Sequence, residues 1–260
     1  MYLTITPNSL KGSICIMVLR QFLASAGILA GVLSPALVVF ASVPPQQTAQ
    51  LYPESKVSLG FPVENRGAPS STVGAGTRGA SCIEEGRGKI PLKALMPTRN
   101  NFGTTVAPNP TFFVYVPKTT AQSADFVVVD DKKDEVYVTS LDVSGTPGVV
   151  KLSLPPTVSL EIGKNYTWQF SLICDSIDRS QDKLVRGFIQ RVSLSRDMNA
   201  KLKQAAPLEQ AKLYAKDRIW YETVTILADL RSSKPEEWEE LLKSVGLEDI
   251  AKQPFVSVAK

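Results

Sequence analysis

Histidine is absent from this chain of 260 residues. Its absence removes Ser-His-Asp and Cys-His nucleophilic catalysis, the H-E-x-x-H zinc motif and most other zinc sites. Cysteine is scarce, with three in all. Charge of one sign is also lacking. The formal net charge is +4, and residues 1–41 carry Lys11 and Arg20 but no acid, so without them +4 falls to +2. A nearly neutral body with no dense Lys/Arg stripe is a poor nucleic-acid binder. What is present is enough for a core: 43% apolar and 21% charged residues, with 18 prolines and 16 glycines that call for many turns.

Residues 1–41 read as a signal peptide. Lys11 and Arg20 precede the uncharged run "QFLASAGILAGVLSPALVVFA", and Val39-Phe40-Ala41 places small residues at the first and third positions of a triplet, which predicts cleavage after Ala41. The alternative is an uncleaved anchor, since residues 23–40 are about long enough to span a bilayer. Pro35 and the cleavage triplet favour export. Cys15 leaves with the leader, so Cys82 and Cys174 remain, and two cysteines in an exported chain predict one disulfide. It would close a loop of about ninety residues, worth about 4–5 kcal/mol on the chain-entropy model.

Residues 42–81 are rich in Pro, Gln, Ser, Thr and Gly and read as an exposed linker. Within them Gly74-Ala75-Gly76-Thr77-Arg78-Gly79 spells G-x-G-x-x-G. A dinucleotide fingerprint needs a buried strand before it and a helix after it. Here "ENRGAPSS" precedes, and "SCIEEGRGKIP" follows, so nucleotide binding is rejected. Arg66 and Arg78 in this stretch are candidates to contact an anionic partner.

From 82 to 194 the pattern is strand-like. Seven short runs rich in Val, Phe, Tyr and Thr begin at 89–95 and end at "LVRGFIQRVSL", with turn chemistry between them. Tyr166, Trp168, Phe170, Leu172 and Cys174 alternate with Thr167, Gln169, Ser171 and Ile173 and should face a core. Leu160, Gly163 and Tyr166 form L-x-x-G-x-x-Y, which resembles the tyrosine corner of immunoglobulin-like and fibronectin-type sandwiches. From 195 to 260 the period becomes helical. Pro207 and Pro235 fit first-turn positions and Gly246 a C-terminal cap. Trp238, Leu241, Leu242 and Val245 form one apolar stripe, and Trp220, Val224, Leu227 and Ala228 another. These helix pairs look like a tetratricopeptide hairpin, which must dock on the sandwich or on a partner.

Asp175, Asp178 and Asp182 in "CDSIDRSQD" are the best acidic constellation, three oxygen donors on one loop that could hold Ca²⁺. The spacing is not that of an EF-hand, and Arg179 and Lys183 could neutralise the acids instead. The run 130–135, "DDKKDE", reads as a charged hairpin turn. Trp168 and Trp220 sit at core periodicity rather than on a sugar-stacking surface.

Together, "RGAPSSTVGAGTRG" with Cys82, "LKALMPTRNNFGTTVAPNPTFFVYVP", "SGTPGVVKLSLP", "YTWQFSLICDSIDRS" and "LYAKDRIWYETVTILADLR…WEELLKSVGL" resemble a mainly cyanobacterial domain of unknown function, numbered nine-two-eight, over about 64–250. The resemblance implies an exported protein and brings no activity with it. It raises "GTRG" and "CDSIDRS", and Arg179 within the latter, as candidate functional loops. The expectation is a mainly β protein: an immunoglobulin-like antiparallel β-sandwich stapled by Cys82 and Cys174, then a helical, tetratricopeptide-like subdomain. Its expected role is non-enzymatic, a periplasmic or secreted binding or adaptor protein that needs no cofactor. The expected partner is an envelope or extracellular protein, or a polysaccharide, with membrane contact only through an uncleaved leader. The alternative is a calcium-assisted carbohydrate-binding module, and a hydrolase using paired acids is a third reading.

Overall fold

The computed structural model describes residues 59–62 and 81–259. Residues 1–41, read above as a leader, with Cys15, the glycine run at 74–79, Arg66 and Arg78 lie outside the described residues.

The valine- and aromatic-rich runs become β3 (Thr111–Val116), β4 (Ser123–Asp130), β5 (Glu135–Asp142), β6 (Gly148–Ser153), β7 (Asn165–Ile173) and β8 (Lys183–Arg191). Three shorter strands join them: β1 (Lys93–Ala94), β2 (Phe102–Thr105) and β9 (Phe255–Val256). They form two open sheets, one ordered β1-β3-β6-β9 and the other β2-β8-β7-β4-β5. The fold is mainly β, with four α-helices after the main strands.

The two sheets share one core because their inner faces carry the alternating apolar set. On β7, Trp168, Phe170 and Leu172 are fully buried, opposite Val128, Phe126 and Ala124 of β4. Strand β3 reads as an unbroken apolar run because both its faces are covered. Phe112 on one face meets Phe126 at 5.1 Å and Trp168 at 5.4 Å across the layers, while Phe113 on the other meets Phe255 at 6.0 Å. Trp168 also lies flat over Gly187 of β8, where an added Cβ would come within 2.5 Å of the indole. The corner before β7 has the expected bond: the Tyr166 hydroxyl accepts the Glu161 N–H at 2.9 Å, and Gly163 takes φ +83°.

The helices are α1 (Arg196–Gln204), α2 (Pro207–Lys216), α3 (Trp220–Leu230) and α4 (Pro235–Ser244). Ser195 caps α1 by accepting the Met198 N–H, and Pro207 and Pro235 open α2 and α4 where no N–H is required. At the end of α4, Gly246 adopts φ +79°; its N–H bonds to the Lys243 carbonyl, and the Leu247 N–H bonds to that of Leu242. This pair of bonds is a Schellman motif.

The helices are fixed to the sheets through α3. Glu222 Oε1 accepts from the Thr105 hydroxyl at 2.7 Å and from the Val106 and Ala107 N–H groups at 2.9 Å. The Trp220 indole donates to the Leu95 carbonyl, and the Trp168 indole donates to the Tyr221 hydroxyl at 2.8 Å. Gly103 lets β2 approach α3, since a Cβ there would sit 2.9 Å from Trp220 Cβ.

Three expectations are corrected. The sheets are not antiparallel throughout: β2 runs parallel to β8, and β9 parallel to β6. Both strands arrive through long connections, which is how parallel neighbours are joined. Segment 195–260 is not purely helical, because its end returns to the four-stranded sheet and Ala259 bridges Asp142. The helical pair docks on the chain's own sheets, the first of its two expected outcomes, with Trp220, Leu227, Leu241 and Leu242 buried in the core. Within the linker, Leu59 and Phe61 are also buried, and Phe61 packs edge-on against Trp220 at 5.0 Å.

Candidate functional site: the loop between the seventh and eighth strands

Residues 174–182 connect β7 to β8, and the loop is held by its disulfide, its three aspartates and Arg179. Cys174 is bonded to Cys82 across 92 residues, which ties the base of the loop to segment 81–88. That segment is held in turn: the Cys82 carbonyl accepts the Thr120 N–H at 2.8 Å and the Thr119 hydroxyl at 2.7 Å. Lys183 reaches Glu85 at 3.1 Å.

The loop's own sequence writes its turns. Asp175 Oδ1 accepts the N–H groups of Ile177 at 2.7 Å and Asp178 at 3.2 Å, an Asx turn. Asp178 caps a single 3₁₀ turn, Arg179–Gln181, by accepting the Ser180 N–H at 3.0 Å. Asp182 Oδ1 accepts the Cys174 N–H, which closes the loop on itself. Arg179 then crosses to the sheet, with Nε 2.6 Å from Asp182 Oδ2 and a terminal nitrogen 2.8 Å from Asp125 Oδ2 on β4. The Ser140 hydroxyl of β5 holds the other oxygen of Asp125 at 2.7 Å.

These contacts shift the acids. Burial raises the Asp125 carboxyl, but hydrogen bonds from Ser140 and Arg179 outweigh it and hold the group below its ordinary range. The Ser180 hydroxyl, then Gln181 and the Ser180 N–H, lower Asp178, and the bond that Arg179 donates to Asp182 is the main cause that raises Arg179. Beside the staple, hydrogen bonds from Lys89 and Lys118 lower Glu84 to about 2.

Asp175, Asp178 and Asp182 are therefore occupied by backbone groups and by Arg179 rather than turned towards one point. Among the described residues no group of three His, Cys, Asp or Glu side chains could hold a metal ion. Arg179 is engaged with two carboxylates and is structural to the loop. Residues 175–180 are all exposed, and the large apolar side chain among them is Ile177, 94% exposed. That residue had no place among the sequence candidates, although a lone β-branched apolar residue inside the polar run "DSIDRS" is a readable signal. Asp125 and Ser140 had no such signal, because only the fold brings β4 and β5 to the loop.

Several depressions lie elsewhere among the described residues. A groove of about 580 Å³ between β2 and the α2–α3 turn is lined by Phe61, Ser195, Lys216 and Arg218, with Asp217 its single acid. A smaller one of about 230 Å³ holds Asp130, Asp131, Asn165 and Phe188; its Asp130 accepts the N–H groups of Lys132 and Asp134 in the hairpin turn.

The family described as Domain of Unknown Function (DUF928) matches residues 73–255. The chain belongs to this family. No curated protein matches it. The DUF928 match takes in both staple cysteines, the whole 174–182 loop and all four described helices.

Proposed function

We propose that this DUF928 protein is an exported, non-enzymatic binding or adaptor protein whose contact point is the 174–182 loop. The observation that carries the reading is Ile177, an isoleucine 94% exposed on a loop locked by a disulfide, an Asx turn, a capped turn and an Arg179 clamp. Burying such a side chain against a partner is worth about 1.5–3 kcal/mol, and a pre-ordered loop loses little entropy in doing so. Export to the periplasm or beyond is supported by the leader sequence at 1–41 and by the disulfide, which persists in oxidising compartments. We assign the two sheets to an immunoglobulin-like sandwich on the strength of the tyrosine corner, and α2–α3 to a tetratricopeptide-like hairpin.

The carbohydrate alternative has weaker support. Sugar platforms expose aromatic faces, and no described aromatic residue is fully exposed. A photoreactive residue placed at 177 tests the adaptor reading in envelope extract of the source cell. It should give a discrete adduct that excess unmodified protein competes away and that Ile177→Asp protein does not. Equal competition by the two, or the same adduct from a control at Lys201 on the exposed side of α1, would reject it.

A further inference from the structure

The charges around the tip describe the surface that receives it. Both cations of the loop region are already used: Arg179 is paired with Asp125 and Asp182, and Lys183 with Glu85. Asp175 and Asp178, which flank Ile177 in sequence, join no ion pair among the described residues. Their hydrogen bonds come from backbone N–H groups, Ser180 and Gln181, all neutral donors that leave each carboxylate its charge. The tip is thus one apolar side chain between two uncompensated anions on a preformed loop.

We propose that Ile177 seats in an apolar socket of a partner protein whose rim carries lysine or arginine opposite Asp175 and Asp178. This rests on the adaptor reading above. A basic rim supplies the charge that the loop lacks and steers the encounter. An anionic lipid surface would take up the isoleucine but repel both carboxylates, so a membrane is the disfavoured receiver.

The test uses the full chain with the photoreactive residue at 177, combined with Asp175→Asn and Asp178→Asn. An amide oxygen can still accept the Asx-turn and capping bonds, so the loop keeps its shape while losing its charge; an unchanged melting temperature checks this. Adduct yield should fall about threefold to tenfold in the double variant. The parent should lose a similar factor between roughly 50 mM and 500 mM NaCl, and the double variant should barely respond to salt. An adduct that ignores both salt and the two substitutions overturns the basic socket and leaves the adaptor reading standing. Absence of any discrete adduct overturns both. Salt-sensitive sedimentation of the parent with phosphatidylglycerol–phosphatidylcholine vesicles would overturn the protein socket in favour of a membrane.

Discussion

Tyr221 shows how much one side chain carries at the junction of layers. Its hydroxyl accepts the buried Trp168 indole N–H, and its ring meets Phe112 at 5.3 Å. Tyr221→Phe keeps the ring and strands the indole donor, so it should cost about 1–3 kcal/mol in urea unfolding. Burial also pushes the Tyr221 phenol well above its ordinary value. A raised folded value means stability that is intact below the unfolded value of about 10 and lost as pH rises beyond it. Alkaline unfolding should therefore start later in Tyr221→Phe, relative to its own neutral stability, than in the parent. Gly187 is the neighbouring constraint: Gly187→Ala drives a methyl into the Trp168 indole and should destabilise by about 1–3 kcal/mol or more. Neither effect can be read along the chain, because Gly187 faces Trp168 only through the β7–β8 register.

For whole elements, the six long strands were legible because each is a β-branched or aromatic run set off by turn residues, and α2 begins at the proline that announces it. Strands β2 and β9 were not. "FGTT" is four residues with a glycine, chosen for the approach of Trp220, and β9 is two residues long. Their pairing is decided by what they pack on, and periodicity has nothing to register at that length. The 174–182 loop divides in the same way. Its Asx turn and cap are local and could be anticipated from Asp175 and Asp178, whereas the Arg179–Asp125 clamp spans 54 residues. That clamp has a pH signature. The folded value of Asp125 is depressed, so its contribution is complete above the unfolded value of about 3.9 and disappears as pH falls through the lower folded value. Hydrogen exchange at the amides of Cys174, Ile177 and Ser180 should therefore accelerate below about pH 4 before the strands open. Simultaneous loss of strand protection would show that the clamp is not a separate unit.

Across the molecule, the staple and the sheets are coupled. The Cys82–Cys174 bond closes 92 residues containing β1 to β7, and replacing both cysteines by serine should cost about 4–5 kcal/mol on the chain-entropy model. The measurement is the urea midpoint at constant slope, and an unchanged midpoint would show that the loop is held without its covalent tie. Among the described residues no helix is long and apolar enough to cross a membrane. The arrangement of β9 has a further meaning for biogenesis. Strand β6 receives its outer neighbour from residues 255–256, and the Ala259 bridge to β5 comes later still. A ribosome that has made eight of the nine described strands has thus produced two layers with raw borders at β6 and β5, which residues 255–259 hem only when they emerge. A product made only as far as α4 should be a ready substrate for holdase chaperones and proteases until residues 255–259 pair with β6 and β5.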